Sequence, residues 1–234
     1  DLIDFTPEVR ARALEAIQGF RLSPSLYSPP SLAEAPDGTR GLLSLPSSTG
    51  GSNWEGSALD PETGILYVPS RTQLQVLALA KNPVSDIDFS QGGGVRVPRV
   101  DGLEIVKPPY GRVTAIDMNS GDHLWWVANA ETPARIADHP MLQGVDIEDT
   151  GIPTRSGILL TKTLLFVGEG IGTADALPKM RVVNKQTGEV IAVMDLPDNQ
   201  TGLPFTYEHD GKQYLAMFVG GRSAPAQLVA YALP

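Results

Sequence analysis

The stretch Gly56-Ser-Ala-Leu-Asp-Pro-Glu-Thr-Gly64, followed directly by Ile65-Leu-Tyr-Val68, predicts a strand, a tight turn and a second strand. The turn is recognisable because Asp and Pro favour chain reversal and Gly64 accepts a positive φ. The same pattern returns at residues 156–162 with 164–167, and at 204–211 with 213–219. None of these runs is longer than a strand, and none precedes a helix-length periodic segment. The chain is therefore predicted to be all-β.

A second hairpin follows each of the first two copies. It is formed by residues 113–121 with 124–126 in the first copy, and by 181–188 with 190–192 in the second. After the third copy a single further strand, 227–232, remains. Four antiparallel strands per unit, at a period of about 50 residues, are typical of β-propeller blades. We therefore predict a partial β-propeller of about three four-stranded blades, which are too few to close a ring.

The N-terminal segment has a different pattern. Thr6-Pro7-Glu8 predicts a helix start, because Thr can cap, Pro suits the first helical position and Glu favours the positive end of the helix dipole. Apolar residues then recur at helical spacing as far as Gln18, and the Ser- and Pro-rich stretch 23–36 predicts a loop. We predict an N-terminal helix and loop over 1–41 and the partial propeller over 42–234. A Gly- and Pro-rich insertion at about 80–110 is predicted to be a loop.

Composition excludes several classes of function. The 234 residues are 41% hydrophobic and 19% charged, a globular balance, with a net charge of −9. That charge argues against nucleic acid as a partner and against a broad electrostatic grip on anionic lipid. The sequence has no cysteine, which excludes disulfides and thiolate chemistry. No apolar run approaches the ~20 residues of a transmembrane helix.

Two motifs in the first unit resemble a known family. Ala115-Ile-Asp117, Ser120-Gly121 and Trp125 resemble the repeat of the pyrroloquinoline-quinone (PQQ) dependent alcohol and sugar dehydrogenases, in which the Trp docks one blade on the next. Gly50-Gly-Ser-Asn-Trp54, running into 58–69, is similar to the family segment that enters the central funnel ahead of a blade's inner strand. The second unit departs from the repeat at Val182, Asn184 and Ala192.

The C-terminal run extends the resemblance. Thr206-Tyr-Glu208, Asp210-Gly-Lys-Gln-Tyr214, Gly220-Gly221 and Val229-Ala-Tyr-Ala-Leu-Pro234 most resemble the membrane-bound quinoprotein glucose dehydrogenase group. The resemblance covers nearly the whole chain, with about 80–110 as the exception. It implies the C-terminal part of an eight-bladed propeller.

The resemblance also implies an activity. The parent enzyme would use PQQ and Ca²⁺ to oxidise an alcohol or sugar hydroxyl and would pass electrons to a quinone or a cytochrome. It would be periplasmic, with any membrane association supplied by upstream segments. In the family the Ca²⁺ ligands and the catalytic Asp belong to earlier blades. No catalytic residue and no metal ligand is therefore assigned, and this chain alone is expected to be inactive. PQQ and Ca²⁺ are expected in the full-length parent, and this chain alone need not bind either.

Three residues are candidate cofactor contacts by resemblance. Asn53 matches a polar contact to the quinone or its carboxylates, and its amide could donate to an oxygen that gains charge on reduction. Trp54 would form a wall beside the cofactor. Arg222 stands where the glucose dehydrogenase group has a His after Gly-Gly, and it could pair with a carboxylate. The structural alternatives are a turn role for Asn53, core packing for Trp54 and a solvated charge for Arg222.

A second class of function is a non-enzymatic propeller that serves as a scaffold or assembly module. Asn53 among its glycines favours the enzyme, whereas the departures at Asn184, Ala192 and Arg222 favour the scaffold. In either class a partial ring leaves sheet edges and blade faces open. We expect these surfaces to be covered by self-association or by residues 1–36.

Overall fold

The structure is a computed structural model that describes residues 1–22, 25, 27–169, 178–221 and 225–232. The chain forms two compact units. Unit 1 comprises Asp1–Gly51, Thr72–Pro108 and Ala134–Ile147, and unit 2 comprises Ser52–Arg71, Pro109–Pro133 and Glu148–Pro234. This division differs from the predicted boundary after residue 41, because the insertion belongs to the same unit as the N-terminal segment.

The described elements run in the following chain order. The helices are α1 (Pro7–Ala16), the single turn α2 (Ala134–Ala137) and a 3-10 turn at Pro140–Leu142. The strands are β1 (Arg21–Leu22), β2 (Ser31–Leu32), β3 (Leu42–Ser44), β4 (Ala58–Asp60), β5 (Ile65–Arg71), β6 (Gln75–Lys81), β7 (Phe89–Gln91), β8 (Arg99–Val100), β9 (Leu103–Glu104), β10 (Gly111–Asp117), β11 (His123–Ala128), β12 (Ile158–Leu160), β13 (Leu164–Gly168), β14 (Lys179–Asn184), β15 (Val190–Asp195), β16 (Phe205–His209), β17 (Lys212–Val219) and β18 (Gln227–Ala232). Within the described residues, no helix is long and apolar enough to cross a membrane.

Helix α1 begins where the sequence predicts. The Thr6 hydroxyl accepts a hydrogen bond from the Val9 amide at 3.1 Å, and Pro7 occupies the first turn. The helix ends at Ala16, two residues earlier than the apolar spacing predicts. Val9 and Ala13 are fully buried, which confirms the predicted apolar stripe. The helix contacts strand β8 within unit 1.

The prediction that 80–110 is a loop is wrong. The segment contains the end of β6 and all of β7, β8 and β9. Strand β6 pairs with β3, β2 and β7, so the insertion completes the sheet of unit 1. Val100, Leu103 and Ile105 are buried there, which explains why short strands form despite the surrounding glycines and prolines.

Unit 2 has the predicted blade organisation. Its described strands form three antiparallel sheets, which we name sheet A (β11-β10-β5-β4), sheet B (β12-β13-β14-β15) and sheet C (β16-β17-β18). Each sheet is a meander, because each of its strands pairs with the strand of that sheet that comes next in the chain. Sheet C has three strands among the described residues, as the sequence predicts for the third copy. The all-β fold class and the partial propeller are confirmed.

Sheets A and B dock through Trp125, in the role that the resemblance implied. The half-buried indole lies 5.8 Å from the Tyr67 ring, between centroids. It also lies against Gly188, where a Cβ atom would come within 2.7 Å of the indole Cε3. Because Gly188 has φ 78° and carries no side chain, the turn of sheet B can approach the indole closely.

Buried residues extend this packing on both sides of sheet B. Tyr67, Val113 and Ala115 of sheet A share one apolar cluster with residues of sheet B. The Asp60 carboxylate of sheet A accepts a hydrogen bond from the Lys185 ammonium of sheet B at 2.6 Å, and the two side chains are 5% and 9% exposed. A second cluster joins sheets B and C through Met180, Leu196, Leu215, Met217 and Val219.

Candidate functional site

Three loops of unit 2 meet at one end of its sheets. Each loop leads into the first strand of a sheet: 52–57 into β4, 153–157 into β12, and 199–204 into β16. Together they line a cavity of about 190 Å³, which we name the loop cavity. Its lining residues are Trp54, Glu55, Arg155, Gly157, Gln200, Thr201, Gly202 and Leu203. The repeat of the blades therefore brings together residues that lie far apart in the sequence.

Asn53 lies in a tight turn at the exposed end of sheet A. Its side-chain oxygen accepts a hydrogen bond from the Trp54 amide at 2.8 Å, and its backbone oxygen accepts from Gly56 at 3.0 Å. The Ser52 hydroxyl donates to the Pro69 carbonyl at 2.6 Å and anchors the start of the turn on β5. Asn53 thus has the turn role that the structural alternative foresaw, with a side chain that is exposed to solvent.

Trp54 is a surface residue of the loop cavity. Its side chain is 76% exposed, so the alternative that it packs in the core is wrong. The guanidinium carbon of Arg155 lies 5.7 Å from the centroid of the indole. Arg155 also forms an ion pair with Glu55, which is the next residue of the turn. An exposed indole with a cation over one face leaves a flat apolar surface available to a ligand.

Arg222 lies outside the described residues. The described part of the preceding segment is held by a hydrogen bond from the Gly220 amide to the Asn199 carbonyl at 2.8 Å. Gly220 and Gly221 both have positive φ angles, of 157° and 91°. Of the three predicted contacts, the structure places Trp54 in the lining of the loop cavity and Asn53 beside Trp54 in the same turn. The role of Arg222 stays a prediction.

A buried polar layer lies next to the cavity. The Asn129 amide donates to the Ser156 hydroxyl at 2.7 Å, and Ser156 is 3.0 Å from the Thr154 hydroxyl. The Gln200 amide nitrogen donates to the carbonyls of Gly157 and Gly202, at 3.3 and 2.7 Å. The side-chain oxygens of Asn129 and Gln200 are buried and have no partner among the described residues.

A buried ion pair adds charge to this layer. Glu169, which follows β13, pairs with Arg181 of β14 at 3.3 Å, and both side chains are almost fully buried. Burial raises the pKa of Glu169 above its ordinary value, and the positive charges of Arg181 and Lys179 oppose that shift. Burial of an ionised carboxylate is costly unless it is paired, and Arg181 is the cation that pairs with Glu169.

Arg155, Gln200 and the buried polar layer were not predicted from the sequence. Each of these residues stands alone in a loop or at a strand end, and no local motif marks it. Their position in the repeat could have indicated them. Arg155 and Gln200 precede the first strands of the second and third repeats, as Asn53 precedes the first strand of the first repeat. Within the described ranges, no group of three or more His, Asp or Glu residues is arranged to hold a metal ion.

Residues 1–215 match the family model described as PQQ glucose/ethanol/alcohol dehydrogenase, β-propeller domain. The chain is 29% identical to the glycerol dehydrogenase large subunit of Gluconobacter thailandicus, a match that covers 89% of this chain and 31% of the relative. It is 29% identical to the quinate/shikimate dehydrogenase (quinone) of Acinetobacter baylyi, covering 84% of the chain and 27% of the relative.

The structural comparison supports the fold. The quinohemoprotein alcohol dehydrogenase of Comamonas testosteroni superposes with a TM-score of 0.51 at 18% identity, over 81% of this chain and 27% of that structure. The chain spans less than a third of the length of the curated relatives that it matches.

Proposed function

Since the chain belongs to the PQQ-dependent glucose/ethanol/alcohol dehydrogenase β-propeller family, we propose that it is the C-terminal part of an enzyme that oxidises an alcohol or sugar hydroxyl. The observation that carries the proposal is the meeting of three loops around the loop cavity, with the exposed Trp54 in its lining and the exposed Asn53 next to Trp54 in the same turn. A scaffold has no need of an exposed indole and an amide at the place where the first strands of its blades begin.

The residues present fit PQQ in chemical type. PQQ is flat and carries quinone oxygens and carboxylates, and when bound it supplies the acceptor for the two electrons of the alcohol. The exposed ring of Trp54 offers a flat apolar face. The Asn53 amide nitrogen is a donor suited to an oxygen that gains negative charge on reduction. Arg222 is proposed to pair with a carboxylate of the cofactor.

We infer that the rest of the machinery lies elsewhere in the longer polypeptide. Ca²⁺ prefers several oxygen ligands that converge from separate elements. The proposed Ca²⁺ ligands and the catalytic base, which must reach the substrate hydroxyl, are therefore assigned to the parts of the relatives that this chain does not span. Electron transfer to a quinone or a cytochrome and a periplasmic location belong to the same proposal.

We further propose that the free face of sheet C is an association surface. Phe205 and Tyr207 of β16, Phe218 of β17 and Leu228 of β18 are exposed on this unit. Tyr207 stacks on Tyr214 at 4.9 Å between ring centroids, so the face is a continuous apolar and aromatic surface. Such a surface is typical of an interface rather than of solvent contact.

The test of the enzymatic proposal is a dye-linked dehydrogenase assay on the longer polypeptide, reconstituted with PQQ and Ca²⁺. We expect oxidation of alcohol or sugar substrates, and we expect Asn53→Ala to reduce it. The matched control is Asn119→Ala, because Asn119 is also an exposed turn asparagine but lies at the other end of sheet A, beside Gly64. We expect the isolated 234-residue chain to be inactive under the same conditions. Activity from the isolated chain, or equal effects of the two variants, would contradict the proposal.

A further inference from the structure

We propose that Arg155 is a positioning residue, whose guanidinium ties the 52–56 turn of sheet A to the 153–157 loop of sheet B and fixes the Trp54 indole as a wall of the loop cavity. The consequence for ligand binding rests on the proposed function. The positioning itself rests on the contacts of three residues, Arg155, Glu55 and Trp54.

The ion pair is the first of these contacts. Arg155 Nε pairs with Glu55 Oε1, and the two side chains are 35% and 16% exposed. A pair that is shielded to this extent is screened by salt less than a fully exposed one. Glu55 directly follows Trp54, so the ion pair fixes the backbone on which the indole is carried.

The stacking of the guanidinium on the indole is the second contact. Arg155 lies over the ring face at 5.7 Å, within the range of a cation–π interaction. A single side chain thus holds both the indole and its neighbouring residue. Lys could supply the charge but not the planar group that stacks on the ring.

Two further contacts of the turn are local to sheet A. Ser52 donates to Pro69 of β5, and Gly56 donates to Asn53 within the turn. Gly56 has φ 80°, which allows the turn but does not by itself fix its orientation. Arg155 comes instead from the loop before β12, so it sets where the indole lies with respect to sheet B.

The charge around Arg155 supports the same role. Burial is the main cause that lowers the pKa of Arg71, at the end of β5. The positive charge of Arg155 lowers that pKa further, and the negative charge of Glu55 raises it. Glu55 therefore offsets the repulsion between the two arginines. Loss of Arg155 would remove from Glu55 the ion-pair partner that comes from the loop before β12.

The consequence is a change in the width of the loop cavity. Trp54 and Arg155 line one part of it, and Leu203 and Gln200 line another. A displaced indole alters the fit of PQQ, for which Trp54 is the proposed wall. We therefore expect loss of Arg155 to weaken PQQ binding to the longer polypeptide by roughly two- to tenfold.

The direct test is ¹⁹F NMR of the 234-residue chain labelled with 5-fluorotryptophan. The chain has three Trp residues, and Trp54→Phe assigns the resonance of Trp54. We expect Arg155→Gln to shift or broaden the Trp54 resonance and to leave those of Trp125 and Trp126 in place. Arg155→Lys should restore the resonance in part. Arg112→Gln is the matched control, because Arg112 is exposed and bonds Ser70 within sheet A.

Two outcomes would overturn the positioning role. One is a Trp54 resonance that Arg155→Gln leaves unchanged, and the other is a shift of all three resonances together with a fall in Tm larger than that of Arg112→Gln. The binding arm is an equilibrium titration of PQQ into the longer polypeptide with Ca²⁺ present. If Trp54→Ala leaves the PQQ affinity unchanged there while the NMR result holds, the proposed contact of Trp54 with PQQ fails and the positioning of Trp54 by Arg155 stands.

Discussion

Truncation of Trp125 to Ala should reveal how strongly the first two blades depend on one indole. The indole packs on Tyr67 and lies against Gly188, so its removal opens a void between sheets A and B. Replacing a fully buried Trp by Ala costs about 3–5 kcal/mol. Trp125 is half-buried. Its Nε1 is buried without a partner among the described residues. Removal of that unsatisfied donor stabilises the variant by about 1 kcal/mol and reduces the net cost of the truncation.

The expected loss of unfolding free energy for Trp125→Ala is therefore about 2–3 kcal/mol, which corresponds to a fall in Tm of about 5–10 °C for a chain of this size. The measurement is thermal and urea unfolding followed by far-UV circular dichroism. Trp126→Ala is the matched control, because the neighbouring indole is 53% exposed and points to the other face of β11. We expect the control to cost less than about 1 kcal/mol.

A double-mutant cycle with Gly188 isolates the docking contact. Gly188→Ala forces a methyl group into the indole and strains a residue with φ 78°. The strain alone costs about 1–2 kcal/mol. In the Trp125→Ala background the methyl group has room, so only the strain should remain. Coupling of at least about 0.5 kcal/mol is expected. Additive costs, or equal losses for Trp125→Ala and Trp126→Ala, would refute the docking role.

Two further predictions concern the blade interface and the free sheet face. The hydrogen bond from Lys185 lowers the pKa of Asp60 from 3.8 to about 2. The stabilising contribution of the ionised pair should therefore be complete above pH 3.8 and should be lost as pH falls through about 2. Acid unfolding of the Asp60→Asn, Lys185→Gln double variant should lack this step, and an unchanged profile would show that the pair contributes nothing. Sedimentation velocity should show self-association of the isolated chain that Phe218→Lys with Leu228→Lys abolishes, whereas a monomer at every concentration before mutation would reject the surface.

The blades could be predicted from the sequence because their information is local. Each hairpin is marked by a turn such as Asp60–Gly64, and each strand alternates side chains over a few residues. Unit 1 could not be predicted in the same way. Its sheet joins the two-residue strands β1 and β2 in parallel to β3 and β6, which follow much later in the chain. Such short, non-local pairing leaves no periodic pattern in the sequence.

The candidate site was predictable to the extent that a motif carries it. Asn53 and Trp54 belong to a Gly-rich segment with a family signature, whereas Arg155 and Gln200 are isolated polar residues in loops. Their roles depend on three loops that only the stacking of blades brings together. The exposure of Trp54 also required the structure, because a Trp before a strand is more often a packing residue.

Whether the turn at Asn53 contacts PQQ can be measured by an equilibrium titration of PQQ into the longer polypeptide with Ca²⁺ present. Loss of a hydrogen bond to a charged group costs about 1.5–3 kcal/mol. Asn53→Ala should therefore weaken PQQ binding by roughly one to two orders of magnitude and leave the fold in place. Asn119→Ala should bind as the unmutated protein does. A PQQ affinity that Asn53→Ala leaves unchanged, in a protein that binds PQQ, would contradict the account.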